Sequence, residues 1–118
     1  MSAAGEARPG TTVATVVTFL ELTAPPSLFA PTPANLRLAL MRADAMPVHF
    51  YRYLYDTIGR EHAWVDRKRL SDKALGSELS GPGVGIFVLY AGGVPAGFFE
   101  LDRVNERITW LRYFGIVP

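Results

Sequence analysis

The stretch from Val84 to Pro118, VGIFVLYAGGVPAGFFELDRVNERITWLRYFGIVP, decides the fold of this chain. It contains three apolar runs, VGIFVLYA, VPAGFFELD and RITWLRYFGIVP, with a short break after each of the first two. Gly92-Gly93 separates the first two runs and is a two-residue β-hairpin signal. The polar residues Arg103 to Glu106 indicate a second, looser turn. The stretch is therefore predicted to form a three-stranded meander.

Both faces of this meander carry bulky side chains. Strand alternation places Phe98 on one face, and Phe99 and Leu101 on the other. A sheet with apolar residues on both faces needs cover on both faces. The residues before Val84 are expected to supply part of that cover as helices.

Pro47 to Ile58 is predicted to be the first helix. Proline suits the first position of a helix, where its missing N–H is not needed, and Gly59 is a suitable C-terminal stop. The apolar side chains follow helical spacing and form one face. They are Val48, Tyr51, Leu54, Tyr55 and Ile58.

A second helix is predicted to begin after Ser71, whose hydroxyl can accept hydrogen bonds from the free N–H groups of a first turn. Leu70 and Leu75 have the spacing of a hydrophobic staple across that helix start. Gly81-Pro82-Gly83 is predicted to end the helix.

The N-terminal third is less regular. Residues 1–12 are small, polar and rich in glycine and proline, and are predicted to be disordered. Val13 to Leu22 is rich in β-branched residues and is predicted to be a strand. Ala24 to Ala34 contains four prolines, which exclude both a helix and a central strand. Within this connector, Leu28 and Phe29 are candidates for an anchor to the core.

Leu36 to Arg42 alternates in polarity and is predicted to be a strand, although its Leu, Ala, Met and Arg residues also favour a helix. The predicted order is thus strand, connector, strand, helix, helix and meander. This order describes an α+β fold in which helices pack on a mostly antiparallel sheet. The folded part, residues 13–118, is expected to be one domain.

The composition excludes several classes of protein. The 118 residues include 12 basic and 11 acidic side chains, so no strong charge indicates nucleic-acid binding. The chain has no cysteine, which excludes disulfide scaffolds and thiol nucleophiles. His49 and His62 do not have the spacing of a metal site, so no metal is expected. No signal sequence and no apolar run of ~20 residues is present, so we expect a cytoplasmic protein outside the membrane.

The element order and several sequence phrases together resemble the GNAT superfamily of acyl-CoA-dependent N-acetyltransferases. The phrases are VTFLELTAPPSL, PVHFYRYLYDTIG, HAWVDRKRLSD, VLYAGGVPAGFFELD and YFGIVP. The resemblance implies that Leu36 to Arg42 is the first strand of the family core and that the meander supplies the second to fourth. Val13 to Leu22 would be an added N-terminal strand. The implied activity is direct acetyl transfer from acetyl-CoA to a primary amine of a small molecule or peptide.

In the family, the fourth strand is followed by an Arg/Gln-x-x-Gly-x-Gly/Ala loop, and the start of the next helix binds the cofactor pyrophosphate. The sequence ends at Pro118, before such a loop. The resemblance therefore implies a truncated domain, the N-terminal half of the fold, with weak or no activity and a weak hold on acetyl-CoA. The alternative is a non-catalytic remnant or interaction module that pairs through its C-terminal strand with a second copy or a complementing chain.

The resemblance also suggests site residues. Phe114, Gly115 and Ile116 match the strand whose backbone binds the pantetheine arm of the cofactor and can polarise the acyl carbonyl. The alternative is an ordinary buried strand with a glycine required for packing. Glu100 is expected to be the catalytic base that accepts a proton from the substrate ammonium. Its alternative is a surface position paired with Arg107 across the hairpin.

Tyr53 and Trp64 are expected to bind the acceptor substrate, because in the family the first helix and the following loop border the acceptor pocket. Tyr53 lies off the apolar face of its helix, and Trp64 is the one large apolar residue of a charged loop. Tyr51 and Tyr55 are predicted to pack in the core with their hydroxyls reaching solvent. Arg67-Lys68-Arg69 is predicted to be a solvated lead-in to the second helix.

Overall fold

The structure is a computed structural model, and it describes Thr12 and residues 14–118. Most of the segment predicted to be disordered, residues 1–11, lies outside the described residues, and so does Val13. The elements follow in the order β1 (Leu38–Arg42), α1 (Val48–Gly59), a 3-10 helix (Asp66–Arg69), α2 (Asp72–Leu79), β2 (Val84–Ala91), β3 (Val94–Arg103) and β4 (Thr109–Ile116).

The four strands form one antiparallel sheet in the order β1-β2-β3-β4. The predicted α+β fold class and the meander are confirmed, and the arrangement is consistent with the partial GNAT-like fold expected from the sequence. The β2–β3 hairpin turns at Gly92 and Gly93, whose φ angles are +59° and +83°. This left-handed pair is what a two-residue hairpin requires, and glycine adopts it without steric cost.

The pairing of β3 with β4 contains an irregularity after Glu100. Tyr113 is opposite Glu100, whereas Leu111 is opposite Leu101. Arg112 therefore has no partner on β3, as in a β-bulge. Because of this extra residue, Tyr113 and Leu111 face opposite sides of the sheet, whereas residues two apart in a regular strand face the same side.

Both helices pack on one face of the sheet and enclose the core there. The buried apolar residues are Tyr51, Leu54, Tyr55, Ile58, Leu75, Leu79, Ile86, Val88 and Phe98. The predicted apolar face of α1 is thus confirmed, with Val48 half-buried at its start. Pro47 is the N-cap of α1 and not its first residue. The Ser71 cap is confirmed, because its hydroxyl accepts a hydrogen bond from the Ala74 N–H at 3.1 Å. No helix in the described part of the chain is long and apolar enough to cross a bilayer.

The other face of the sheet is covered by neither helix. Leu40 and Leu111 are 55% and 57% exposed on this side, and Phe114 and Ile116 are each 63% exposed. The register places them beside half-buried neighbours on the same face, because Leu40 pairs with Leu89 and Phe114 with Phe99. We refer to this side of the sheet, with Leu40, Leu89, Phe99, Leu111, Phe114 and Ile116, as the outer face. In the part of the chain that the structure describes, the helices therefore cover one side of the sheet only, which is part of the expected cover.

The predicted first strand is wrong for residues 14–22, which form no strand. The large apolar side chains of this segment are at least 71% exposed, although Phe19 lies edge-on to Trp110 at 6.3 Å between ring centroids. A segment rich in β-branched residues forms a strand only where it can pair with the edge of a sheet. Leu28 and Phe29 are 88% and 81% exposed, so the predicted anchor to the core is also wrong.

Candidate functional site

Glu100 is the one charged side chain that is fully buried among the described residues, at 1% exposure. It belongs to β3, where strand alternation turns Phe98 and Glu100 towards the helices. Arg67 Nη1 donates to both Glu100 oxygens, at 2.6 and 2.7 Å, and the Tyr51 hydroxyl donates to Oε1 at 2.8 Å. A buried carboxylate needs such partners, since its desolvation is costly when it is unpaired.

The alternative prediction for Glu100, a surface position paired with Arg107, is wrong. Glu100 pairs in register with Tyr113. Arg107 lies in the exposed turn before β4, where its backbone N–H donates to Asn105 Oδ1 at 2.8 Å. Since β4 begins at Thr109, Arg107 lies outside the strand pairing. The catalytic role of Glu100 stays a prediction.

Arg67 joins the connecting segment to three elements of the fold. Beyond Glu100, its Nη1 donates to the Tyr51 hydroxyl at 2.7 Å, and its Nε lies 3.4 Å from Glu78 Oε2 on α2. Its backbone N–H donates to the Tyr55 hydroxyl at 3.2 Å. The guanidinium carbon also lies 5.5 Å from the ring centroid of Tyr51, within cation–π range. Arg67 therefore holds the 3-10 helix to the core through both its side chain and its backbone N–H.

The protonation states in this cluster follow from burial and charge. Burial acts to lower the pKa of Arg67, but the hydrogen bonds and charges of Glu100 and Tyr51 outweigh it, so the pKa is raised. Burial, followed by the charge of Glu100, raises the pKa of the Tyr51 phenol. Burial and the hydrogen bond with Tyr55 raise the pKa of Tyr113. At neutral pH the Arg67 guanidinium is thus charged, and the phenols of Tyr51 and Tyr113 are protonated.

Trp64 enters the same cluster from the segment between the helices. Its ring centroid lies 5.4 Å from that of Tyr55, 5.0 Å from Tyr113 and 6.2 Å from Phe98. Gly59 permits this approach, because a Cβ on Gly59 would lie 2.6 Å from the Cβ of Trp64. Gly59 is the last residue of α1, so it also stands at the predicted helix end. The substrate-binding role of Trp64 stays a prediction.

Tyr53 lies on the solvent face of α1, at 48% exposure, with its ring stacked on Phe50 at 6.5 Å. It lines a surface cleft with His49, Arg52, Tyr55, Asp56, Thr57, Arg60 and Lys68. In this cleft Asp56 accepts from both Lys68 and Arg60 at 3.0 Å, and these cations, Lys68 foremost, lower the pKa of Asp56. The two predicted substrate-binding residues therefore lie on different faces, Tyr53 towards solvent and Trp64 towards the core.

Phe114, Gly115 and Ile116 lie at the end of β4, an edge strand of the described sheet. Phe114 and Ile116 belong to the outer face. Gly115 faces α1, and a Cβ there would overlap Cγ2 of Ile58 and lie 3.3 Å from Cη2 of Trp64. Packing against α1 therefore requires a glycine at this position. The cofactor-binding role of the three residues stays a prediction.

Acetyl-CoA combines an apolar, amide-bearing pantetheine arm with an anionic pyrophosphate, and the two parts fit these residues differently. β4 has no strand partner opposite β3 among the described residues, so that edge is open to the amides of a ligand, beside the exposed Phe114 and Ile116. The helix end next to Gly115 is the last turn of α1, at Ile58, and a helix C-terminus carries negative partial charge. The start of α2 is occupied by the Ser71 cap and a carboxylate. Beside β4 the described residues thus offer an open strand edge for the pantetheine arm and no free helix start for the pyrophosphate.

Arg67 and Tyr51 are the site residues that sequence reasoning missed. Arg67 was predicted to be solvated, but its side chain is 13% exposed. The Tyr51 hydroxyl was predicted to reach solvent, but Tyr51 is 0% exposed. The available signal was Glu100 itself, because a carboxylate on a strand face that helices cover requires a cation nearby.

Comparisons with known proteins give few matches. No family model and no curated protein matches this sequence. Among solved structures, an aminoglycoside N-acetyltransferase in complex with CoA is similar, with 17% sequence identity and a TM-score of 0.49. The similarity covers 74% of this chain and 60% of that protein, so this chain spans less than two thirds of its length.

Proposed function

We propose that this chain is an N-acetyltransferase-type domain of the GNAT kind, which transfers an acetyl group from acetyl-CoA to a primary amine of a small molecule or peptide. One observation carries the proposal. The order β1-α1-α2-β2-β3-β4 around one antiparallel sheet is the order expected from the sequence phrases that resemble the family. The cytoplasmic location expected from the sequence is part of the same proposal.

Acetyl-CoA, when bound, supplies an activated acetyl thioester. The chain's own residues would bind the cofactor, orient the reactants and accept the proton. The open edge of β4, with Phe114 and Ile116, would hold the pantetheine arm. Glu100 would accept one proton from the acceptor ammonium, which leaves a neutral amine with a free lone pair and a neutral carboxylic acid. Trp64 and its aromatic neighbours would keep water from this position.

We also propose that the 118 residues alone hold acetyl-CoA weakly and transfer acetyl groups slowly or not at all. The support for this is that no free helix start lies beside β4 to bind a pyrophosphate. A free anion gains most where backbone N–H groups at a helix start converge on it. The helix end beside Gly115 has the opposite polarity.

A comparison of two ligands tests the proposal. Chemical-shift changes in the 15N-labelled chain are followed while S-acetylpantetheine or acetyl-CoA is added. We expect both ligands to move the Gly115 amide resonance, with similar dissociation constants of ~1 mM or weaker. Phe114→Ser should weaken both equally. Leu40→Ser is the matched control, since Leu40 is another exposed residue of the outer face, on β1.

Two results would contradict this reasoning. If neither ligand moves the resonances of β4, the proposed cofactor strand is wrong. If acetyl-CoA binds far more tightly than S-acetylpantetheine, the described residues do hold a pyrophosphate. Acetyl transfer itself can be followed by release of the CoA thiol with a thiol reagent, because the chain contains no cysteine to add background.

The outer face favours a second candidate function, a non-catalytic module that pairs with a second copy through β4. Leu111, Phe114 and Ile116 are each more than half exposed along an edge strand, and such edges can pair with another chain. Light scattering after size exclusion tests this candidate. A dimer that Phe114→Glu converts to a monomer is the expected result, and a monomer for the unmodified chain at all concentrations excludes it.

A further inference from the structure

The surroundings of the Arg67 guanidinium resemble a binding site for an organic cation. Its Nη1 lies 2.6 and 2.7 Å from the two Glu100 oxygens. The guanidinium carbon lies 5.5 and 5.1 Å from the ring centroids of Tyr51 and Tyr113. A carboxylate beside aromatic rings is the combination that binds ammonium and guanidinium groups in proteins, through charge and cation–π attraction.

The parts that receive the cation belong to the rigid core of the fold. Glu100 is on β3 and Tyr51 is on α1, at 1% and 0% exposure. Tyr51 donates directly to Glu100 at 2.8 Å and packs edge-on to Phe98 at 5.6 Å. The carboxylate and one wall of the site are therefore positioned by contacts that do not involve Arg67.

The cation itself comes from the short segment between the two helices, which is also attached to α1 by the Lys68–Asp56 ion pair at 3.0 Å and by a bond from Arg52 to the Leu70 carbonyl at 2.7 Å. The 3-10 helix that carries Arg67 has four residues, and none of them is buried. Ala63, which precedes it, has a φ of +55°, a left-handed conformation that is unfavourable for a residue with a side chain. Trp64 and Leu70 pack partly against the core on either side of the 3-10 helix.

The site also reaches solvent and carries excess negative charge. Arg67 Nε lies 3.4 Å from Glu78 Oε2, and the Glu78 side chain is 50% exposed. Two carboxylates thus share one guanidinium. Withdrawal of Arg67 would leave two negative charges in one position, one buried and one at the solvent boundary, which an incoming cation can neutralise.

We propose that Arg67 is an internal occupant of a site for an organic cation, and that a ligand bearing a primary ammonium or guanidinium group displaces it. This inference rests on the proposed function in one respect, which is that the displacing cation is taken to be the acceptor amine. Displacement would place a ligand ammonium against Glu100, the predicted base. While Arg67 occupies the site, the carboxylate has no free position for a ligand, so the contact acts as a built-in inhibitor.

Occupation by Arg67 reduces the apparent affinity for any ligand. The apparent dissociation constant is the intrinsic one divided by the fraction of molecules in which Arg67 is withdrawn. A small cation should therefore bind an Arg67→Ala variant at least ~10-fold more tightly than the unmodified chain. Its binding should depend on Glu100 in both proteins.

Chemical rescue tests the proposal without any CoA. The thermal midpoints of Arg67→Ala and of Arg67→Ala combined with Glu100→Gln are measured at ~10–50 mM methylguanidinium chloride, against sodium chloride at equal ionic strength. We expect methylguanidinium to raise the midpoint of the single variant and not that of the double variant. Equal responses of the two variants, or none in either, would overturn the proposal.

A measurement on the unmodified chain keeps the test decisive if Arg67→Ala does not fold. The Nε–H resonance of Arg67 in the 15N-labelled chain reports the environment of this group beside Glu78. The resonance is assigned by its absence from the spectrum of the Arg67→Lys variant. Addition of 1,4-diaminobutane should move this resonance towards the position of a solvated arginine. A resonance that stays in place at saturating diamine would overturn the displacement. Because CoA is absent throughout, amine binding without acetyl transfer would count against the proposed function alone.

Discussion

Replacement of Gly115 by alanine tests how closely β4 and α1 approach each other. The new Cβ would overlap Cγ2 of Ile58 and contact Trp64 at 3.3 Å. Ile58 is 1% exposed, so its side chain has no solvent-filled space to move into. Either the strand must move outward or the isoleucine must leave its preferred rotamer.

The expected cost follows from two opposing effects. Overpacking of a filled core costs about 1–3 kcal/mol. Alanine in a strand recovers about 0.5–1 kcal/mol, because the unfolded chain has less freedom to lose. The two ranges leave about 0–2.5 kcal/mol, and because the new Cβ overlaps Cγ2 of Ile58 we expect Gly115→Ala to lower the free energy of unfolding by about 1–2 kcal/mol, a fall of roughly 3–12 °C in Tm for a domain of this size.

Urea unfolding followed by tryptophan fluorescence measures this loss, and a second substitution identifies its cause. Leucine branches one carbon later than isoleucine, so Ile58→Leu removes the Cγ2 methyl group at a cost of less than ~1.5 kcal/mol. In the Ile58→Leu background, Gly115→Ala should cost less than ~0.5 kcal/mol. If Gly115→Ala unfolds at the same urea concentration as the unmodified chain, or if its cost is the same in both backgrounds, the packing explanation for Gly115 is wrong.

Three further substitutions test local features by the same urea measurement. Gly76→Ala should stabilise α2 by about 0.5–1 kcal/mol, because alanine favours a helix more than glycine does. The new Cβ has room, since it would meet only Cγ2 of Val48, at an ordinary 3.6 Å. A destabilised variant would contradict this. Ser71→Ala should cost about 0.5–2 kcal/mol through loss of the helix cap, whereas Ser71→Asp should keep most of it; equal stability of the two variants would refute the cap. The pKa of Asp56 is lowered, first by Lys68, so its contribution is present above the carboxyl pKa of the unfolded chain and disappears as the pH falls through the folded value. Asp56→Asn should therefore cost less than ~1 kcal/mol at neutral pH, since Asp56 is 48% exposed, and the difference should close in acid.

The features predicted well from the sequence depend on residues close together in the chain. Gly92-Gly93 indicates its hairpin because two adjacent residues adopt the turn. The apolar face of α1 follows from spacing over three turns, and Ser71 marks the start of α2 through a bond to the N–H three residues later. Each of these signals is complete within a short window, so no knowledge of the tertiary structure is required.

The features that were missed depend on partners far apart in the chain. The pairing of Arg67 with Glu100 joins positions 33 apart, and a basic run before a helix is usually solvated. The segment 14–22 has strand-forming residues, but a strand also needs an edge to pair with, which composition does not reveal. Glu100 lies among apolar residues on its strand, and the same surroundings require that its cationic partner be buried with it.

The bulge in the β3–β4 pairing has a consequence for how the sequence can vary in length. Arg112 is the extra residue, and it separates Tyr113, which faces the helices, from Leu111 on the outer face. Deletion of Arg112 would make Tyr113 and Leu111 adjacent, and adjacent residues of a regular strand face opposite sides, so both would keep their side of the sheet and their partners Glu100 and Leu101. Among related sequences, loss of one residue should therefore be tolerated at Arg112, whereas other changes of length should fall in the turn at residues 104–108, where no side chain is buried.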